Sequence, residues 1–272
     1  HIEAGGDVRG GAFYLARGQA HIKSGGSFTA SDTKSALPLL ALGDGQYVLE
    51  ARKGLGIESV LNPTMLPMNA AQGATETGKL AAENYFFTYG PDSAAQLVSI
   101  AGDVSLRGDA TAMKDTFAGL NATSSTDQLT FYPGSLSIRS LQGDVLIKES
   151  LVLAPSARGN LEMLAQGSIR PGNANTTVRM SDADPALLPG VLNPALGLGD
   201  QETGVSGMLA THSPNRLHAG DPQPVRIVAR TGGIGAPVDS SNRLALLLAK
   251  QARVIAGADI NNLALSVQHV DA

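Results

Sequence analysis

The chain has 272 residues, 43% of them apolar, with a formal net charge of −4, and it is long enough to bury a substantial core. Its 20 basic residues are scattered, which argues against the concentrated basic face of a nucleic-acid binder. Aromatic residues are only 4%, with no Trp and no Cys, so a ring-built core, a disulfide framework and a cysteine nucleophile drop out together.

Along the chain one short pattern returns: an apolar residue, a small residue two places on, a glycine, then a second apolar run. Ile2-x-Ala4-x-Gly6-Asp7-Val8 and Ile22-x-Ser24-x-Gly26-Ser27-Phe28 open the series. Val98-x-Ile100-x-Gly102-Asp103-Val104, Met163-x-Ala165-x-Gly167-Ser168-Ile169 and Val254-x-Ala256-x-Ala258-Asp259-Ile260 follow. Looser copies with one extra residue before the glycine start at Leu49 and run from Ile138 to Val145 and from Ile227 to Ile234. The period of two reads each copy as a strand, a tight turn and a second strand. Asp7 to Arg9, Asp103 to Leu106 and Asp144 to Ile147 are such second strands.

Taking the residue before each post-turn apolar position places the markers at 7, 27, 56, 103, 144, 168, 233 and 259. Several of the spacings correspond to one or two coils of roughly 20–25 residues, the length of a small β-solenoid turn; the longer ones mark insertions. Roughly ten coils at about 4.8 Å each predict a rod of about 45–50 Å. Ala4, Ser24 and Ala165 fall where the chain is about to bend, and a large side chain there would crowd the next coil. The glycines that follow can take positive φ at no steric cost.

The interruptions are legible too. Residues 62–79 read as a loop, from Asn62-Pro63 to Lys79. Residues 107–128 place Met113, Phe117 and Leu120 at helical spacing, predicting a short helix. Residues 171–224 are rich in proline, which excludes central strands and long helices. Arg243 to Arg253 reads as a short helix or a buried strand, and periodicity does not choose. No apolar run reaches the roughly 18 residues of a membrane-spanning helix. The chain opens on His1 without a signal-like segment, so it is expected to be part of a longer protein.

Candidate chemistry is sparse. Gly73 to Lys79 matches seven positions of a phosphate-binding loop, but Leu80 stands where the hydroxyl should be and no strand leads in. Asp7, Asp103, Asp144 and Asp259 recur at the turn, yet Ser27, Ser168 and Gly233 replace them elsewhere. Such aspartates read as turn formers bonding a nearby backbone N–H, not as calcium ligands. A sugar-cleaving β-helix would need carboxylates converging on one face, with Asp103, Asp109, Asp127 and Asp144 as the candidates. His1, His21, His212, His218 and His269 lack metal-ligand spacing, and Asp182 and Asp184 precede Pro185 as turn formers. No catalytic, cofactor-binding or metal-binding residue is assigned.

Three groups of segments, Tyr47 to Pro63, Ala101 to Leu106 with Ala256 to Ile260, and Ala157 to Ala165 with Met180 to Pro185, together resemble the large filamentous haemagglutinin-like exported proteins of Gram-negative bacteria, in the region beyond their secretion domain. Tyr47-Val-Leu-Glu-Ala51 to Val60-Leu-Asn-Pro63 is similar to their coil ending in an asparagine-proline turn. Ala101-Gly-Asp-Val-Ser-Leu106 and Ala256-Gly-Ala-Asp-Ile260 resemble their recurrent coil signature. Ala157 to Ala165, followed by Met180-Ser-Asp-Ala-Asp-Pro185, is similar to their repeats and intervening loop.

The resemblance implies an all-β, right-handed parallel β-helix spanning 1–272 as one segment of a larger protein. It implies two-partner secretion through a dedicated outer-membrane partner that recognises a region outside this chain, and display at the bacterial cell surface. The expected role is adhesion to host or neighbouring cell-surface glycans or proteins, without catalysis, cofactor or nucleic acid. The inert stalk of a contact-dependent toxin and a polysaccharide-acting β-helix enzyme are the alternatives.

Overall fold

The computed structural model describes residues 1–33, 35–63, 84–109, 131–196 and 207–268. Within these the chain winds through eight coils, each laying strands on two or three faces. The first coil holds β1 (Ile2–Ala4) and β2 (Val8–Arg9), then enters β3 (Ala12–Ser24). The second continues through β3, β4 (Phe28–Thr29) and β5 (Leu39–Ala51). The third adds β6 (Leu55–Ile57) and β7 (Val60–Leu61). After β8 (Asn84–Tyr85), the fourth holds β9 (Ala94–Ser99), β10 (Val104–Leu106) and β11 (Phe131–Tyr132). The fifth comprises β12 (Ser135–Ser140), β13 (Val145–Ile147) and β14 (Leu151–Leu153), and the sixth β15 (Leu161–Ala165), β16 (Ile169–Pro171) and β17 (Thr176–Met180). Beyond β18 (Ala195–Leu196) come β19 (Val225–Ala229), β20 (Ile234–Gly235) and β21 (Leu244–Leu248). The last coil is β22 (Ala252–Ala256), β23 (Ile260–Asn261) and β24 (Leu263–Val267).

All pairing along the stack is parallel. Face 1 runs β1-β3-β5-β9-β12-β15-β19-β22, face 2 runs β2-β4-β6-β10-β13-β16-β20-β23, and face 3 carries β11-β14-β17-β21-β24. This is a parallel β-helix, as the repeats predict. Each coil superposes its inward residues on those below. On face 1 Ile22, Leu49, Leu97, Ile138, Met163, Ile227 and Val254 form one column. On face 2 Phe28, Leu55, Val104, Val145, Ile169 and Ile234 form another. These columns are continuous and nearly all dry, which is why medium-sized aliphatics suffice without large rings. Eight coils, with seven steps of about 4.8 Å, give a rise of about 34 Å, shorter than ten coils would.

The register corrects two readings of the repeat. Leu55, not Ile57, pairs with Val104, so the third marker is Gly54 and not residue 56. Leu97 and Ser99 face inward, fully buried, while Ile100 is 45% exposed; the apolar pair Val98 and Ile100 mimics the motif one residue out of phase. The extra turn residue therefore belongs to the copy at Leu97 and not to the one at Leu49.

The motif glycines do not have positive φ; among the described glycines that conformation belongs to Gly10, Gly11, Gly18, Gly108, Gly220 and Gly235. Their role is room. A Cβ on Gly26 would collide with Asp7 Oδ1 of the coil below, and one on Gly143 or Gly167 with the carboxylate of Asp103 or Asp144. Those same oxygens accept the next coil's backbone N–H: Ser27 N at 2.8 Å, Asp144 N at 2.7 Å and Ser168 N at 2.7 Å. The Gly-Asp pair is thus a clasp between coils. The bend before it is set by a small residue, and where that residue is Ser its hydroxyl bonds the turn backbone. Ser24 donates to Gly6 O at 2.7 Å, and Ser140 to Gly102 O at 2.8 Å.

Excursions leave the stack at its corners. The chain leaves the stack after Leu61 and again after Met180, three coils apart, and the described parts of the two excursions meet through the antiparallel pair β8-β18. The strands continue past 171, since Pro171 pairs with Ile147 and Thr176–Met180 is a central strand of face 3. The proline-rich excursion accordingly begins at Ser181. Arg243 to Arg253 contains the buried strand β21, whose Leu244, Leu246 and Leu248 point inward. Most of the loop read at 62–79, the phosphate-loop look-alike Gly73 to Lys79 and the helix expected within 107–128 lie outside the described residues, apart from Asn62, Pro63 and 107–109.

Candidate functional site

The outward side of face 1 is the richest polar surface. Its central column stacks Gln96, Ser137, Glu162, Arg226 and Arg253 on successive rungs. A groove of about 360 Å³ runs along its first four rungs, from Gln96 to Arg226, and is lined as well by Gln223 and Pro224 where the 181–224 excursion rejoins the stack. Glu162 Oε2 accepts Arg139 Nε at 2.9 Å and Ser137 Oγ at 3.0 Å, and Glu162 is the cross-strand neighbour of Arg226. Among the described residues neither Arg226 nor Arg253 has an ion-pair partner. Asn160 Oδ1, at the groove floor, is buried and accepts no hydrogen bond. Arg139 and Arg226 against Glu162 leave one net positive charge in the groove lining.

Among the described residues, the carboxylates considered from sequence do not converge as a group of three. Asp103 and Asp144 stand on neighbouring coils, but each spends Oδ1 on the backbone above, and Asp144 also pairs with Arg170 at 3.1 Å. Asp7 is held below the usual carboxylate range by the Ser27 N–H and then by Arg9. Asp109 lies beyond the other end of β10, where its backbone N–H donates to Glu58 Oε2 at 3.0 Å; Asp127 lies outside the described residues. Burial raises the pKa of Glu149, opposed by a hydrogen bond from Asn173 and reinforced by Asp109. Among the described residues no group of three or more His, Asp or Glu could hold a metal ion. Asp7, Asp103 and Asp144 bond backbone N–H groups as expected, with the difference that the N–H belongs to the next coil.

Two buried charges escaped the sequence reading. Glu58, 0% exposed, accepts Arg107 Nε at 2.9 Å and the backbone N–H groups of Leu37 at 2.8 Å and Asp109 at 3.0 Å. It ties coils together and is saturated. Lys250, 1% exposed, donates Nζ to Asp221 Oδ2 at 2.7 Å, docking the excursion on the turn after β21. His218 Nδ1 sits 3.6 Å from the same oxygen without a hydrogen bond. Burial and then the Lys250 charge hold His218 below its ordinary pKa. Burial pushes Asp221 up, but Lys250 and the Gln223 N–H outweigh it and keep it low. Nearby, Asp182 Oδ2 bonds His212 Nδ1 at 2.7 Å and Gln268 Nε2 at 2.9 Å. Nothing local marks Glu58 or Lys250, since their partners lie 49 and 29 residues away.

Of the other histidines, His1 and His21 pack edge to face at 5.2 Å, beside Glu3 and Glu50 respectively; His269 lies outside the described residues. At the corner where the excursions meet, Phe87, Tyr89 and Phe131 form a small aromatic core with Leu209. Comparison with protein-family models, with curated proteins and with solved structures gives no match for this chain.

Proposed function

We propose that this chain is a structural and adhesive segment of a secreted, surface-displayed filamentous haemagglutinin-like protein. The observation that carries the reading is the unbroken eight-coil stack: excursions leave at corners and return without disturbing the register on either side. A stack of this kind supports a stiff spacer, because each coil is held by its neighbours and not by distant contacts. Its outward faces offer sites that repeat along one axis, and many weak contacts on one rigid body gain strength by effective concentration. Export fits the same physics, since a chain without cysteines can cross a membrane unfolded and propagate coil on coil afterwards.

The test is retention of beads coated with the folded chain on cell monolayers under flow, against beads carrying an unrelated β-helix. Retention well above the control supports adhesion. Retention equal to the control sinks the adhesive role and leaves the stalk of a toxin exoprotein as the better reading.

A further inference from the structure

We propose that the two end coils of the stack bind each other, so that one copy of this chain seats its first coil on the last coil of a second copy and the rods join head to tail. The inference concerns how the chain associates with itself and stands whether or not it adheres.

Three observations select a second copy. First, the core is open at both ends among the described residues. Ile2, Ile260 and Leu265 are inward residues, paired with Ile22, Ile234 and Leu246. They are nevertheless 46%, 49% and 47% exposed, where those partners are 1%, 1% and 0% exposed. β1 and β2 are edge strands at one end, and β22, β23 and β24 at the other; unpaired edges of this kind recruit further strands.

Second, each end holds half of an inter-coil clasp. Asp7, Asp103 and Asp144 each carry, from the coil above, a glycine over the carboxylate and a backbone N–H bonded to it. Lys53 and Ala258 stand in the place of that glycine, their N–H groups reaching Gly26 O and Gly232 O. There the coil below offers Ser27 or Gly233 and no carboxylate. Gly102 and Gly232 make room for backbone of the coil below instead. Asp259, in the last coil, is exposed, and its carboxylate has no hydrogen bond among the described residues. Gly6, in the first coil, is exposed as well, and a Cβ on it meets no atom within 4 Å. One end thus keeps the carboxylate and the other the glycine, and on docking Asp259 Oδ1 accepts the Asp7 N–H of the second copy.

Third, the same register matches backbone and charge. Ile2 set on Val254 continues the face 1 column, and Val8 falls on Ile260. The Ile260 N–H then meets Asp7 O, as the Ile234 N–H meets Asp259 O. Glu3 comes to lie diagonal to Arg253, as Glu50 lies to His21 in an ion pair at 3.6 Å, and diagonal partners are within reach of long side chains. Unlike ends match, so the contact is heterologous and does not close on itself.

The experiment is sedimentation velocity of the 272-residue chain from micromolar to millimolar concentration. The expected result is a mass that climbs through successive multiples of one chain. Gly6→Val, unopposed in the single chain, is expected to weaken association about tenfold or more by overpacking the contact, with an unchanged denaturation midpoint. Asp259→Gly added to it should regain part of the loss, and Arg253→Glu should lose several-fold. A Gly6→Val chain mixed with an Asp259→Lys chain retains one intact contact, so the mixture should level at two chains. A single-chain mass throughout overturns the proposal and leaves the end coils to a further coil of the same polypeptide. A parent that levels at two, a mixture that climbs past two, or a Gly6→Val chain that associates like the parent overturns it as well. If Gly6→Val lowers the midpoint, Asp259→Lys alone decides, because that exposed carboxylate has no partner among the described residues; association equal to the parent's would then refute the contact.

Discussion

The body of the stack and the place where the 181–224 excursion docks on it each bury a charge, and they treat it differently. In the body of the stack, Glu58 is reached by donors from three directions, one of them the guanidinium of Arg107. At the docking point, Lys250 of the stack pairs with Asp221 of the excursion while His218 Nδ1, also buried, has no bond. A saturated buried ion is destabilising only when a partner is removed; an unsaturated one also responds to the proton concentration. The rod is thereby fixed, and the docking of its excursion is conditional.

That contrast can be broken most severely in the stack. Arg107→Met leaves Glu58 buried without its cation, and a loss of about 3–5 kcal/mol is expected, read as a lowered midpoint in urea. Gly167→Val drives a side chain into the Asp144 carboxylate of the coil below. A cost of about 1–3 kcal/mol is expected, and Asp144→Gly in the same chain should recover part of it; no recovery would disprove the inter-coil clasp.

The excursion should yield without the rod. Lys250→Met is expected to cost about 1–3 kcal/mol locally by stranding Asp221. Hydrogen exchange should rise over 207–224 while the face 1 and face 2 strands of coils 4 to 6 keep their protection. Uniform loss of protection would show instead that the two regions form one cooperative unit.

The smallest effect is with pH. His218 is held below its ordinary value of 6.5, so the undocked segment binds the proton more readily than the docked one. The docked state keeps its full advantage above pH 6.5 and loses it as pH falls from there toward the lower native value. Asp221, also shifted down, extends the same trend at more acid pH. Exchange in 207–224, corrected for intrinsic rates, should therefore quicken between pH 7.5 and 5.5, and His218→Gln should flatten that dependence.

How much was legible follows from range. The repeat at Ile22, Met163 and Ile227 announces a strand, a bend and a second strand, because a period of two and a small corner residue are local features. The out-of-phase copy at Val98 and Ile100 shows the limit: two apolar residues fit the pattern equally well, and only pairing with Leu49 and Ile138 selects Leu97. The groove was not legible at all. Arg139, Glu162 and Arg226 look scattered in sequence, and the excursion between coils 6 and 7 separates Glu162 from Arg226 although they are neighbours on the sheet.

The amino-acid sequence by itself determined the coil: alternation, corner serines and alanines, and the Gly-Asp turn all act within a few residues. Tertiary structure alone decided which turn aspartate meets which glycine, where the charged side chains gather, and that two excursions pair with each other. Those outcomes depend on how many residues each coil spends before returning to the same face, a sum over whole insertions that no local pattern contains.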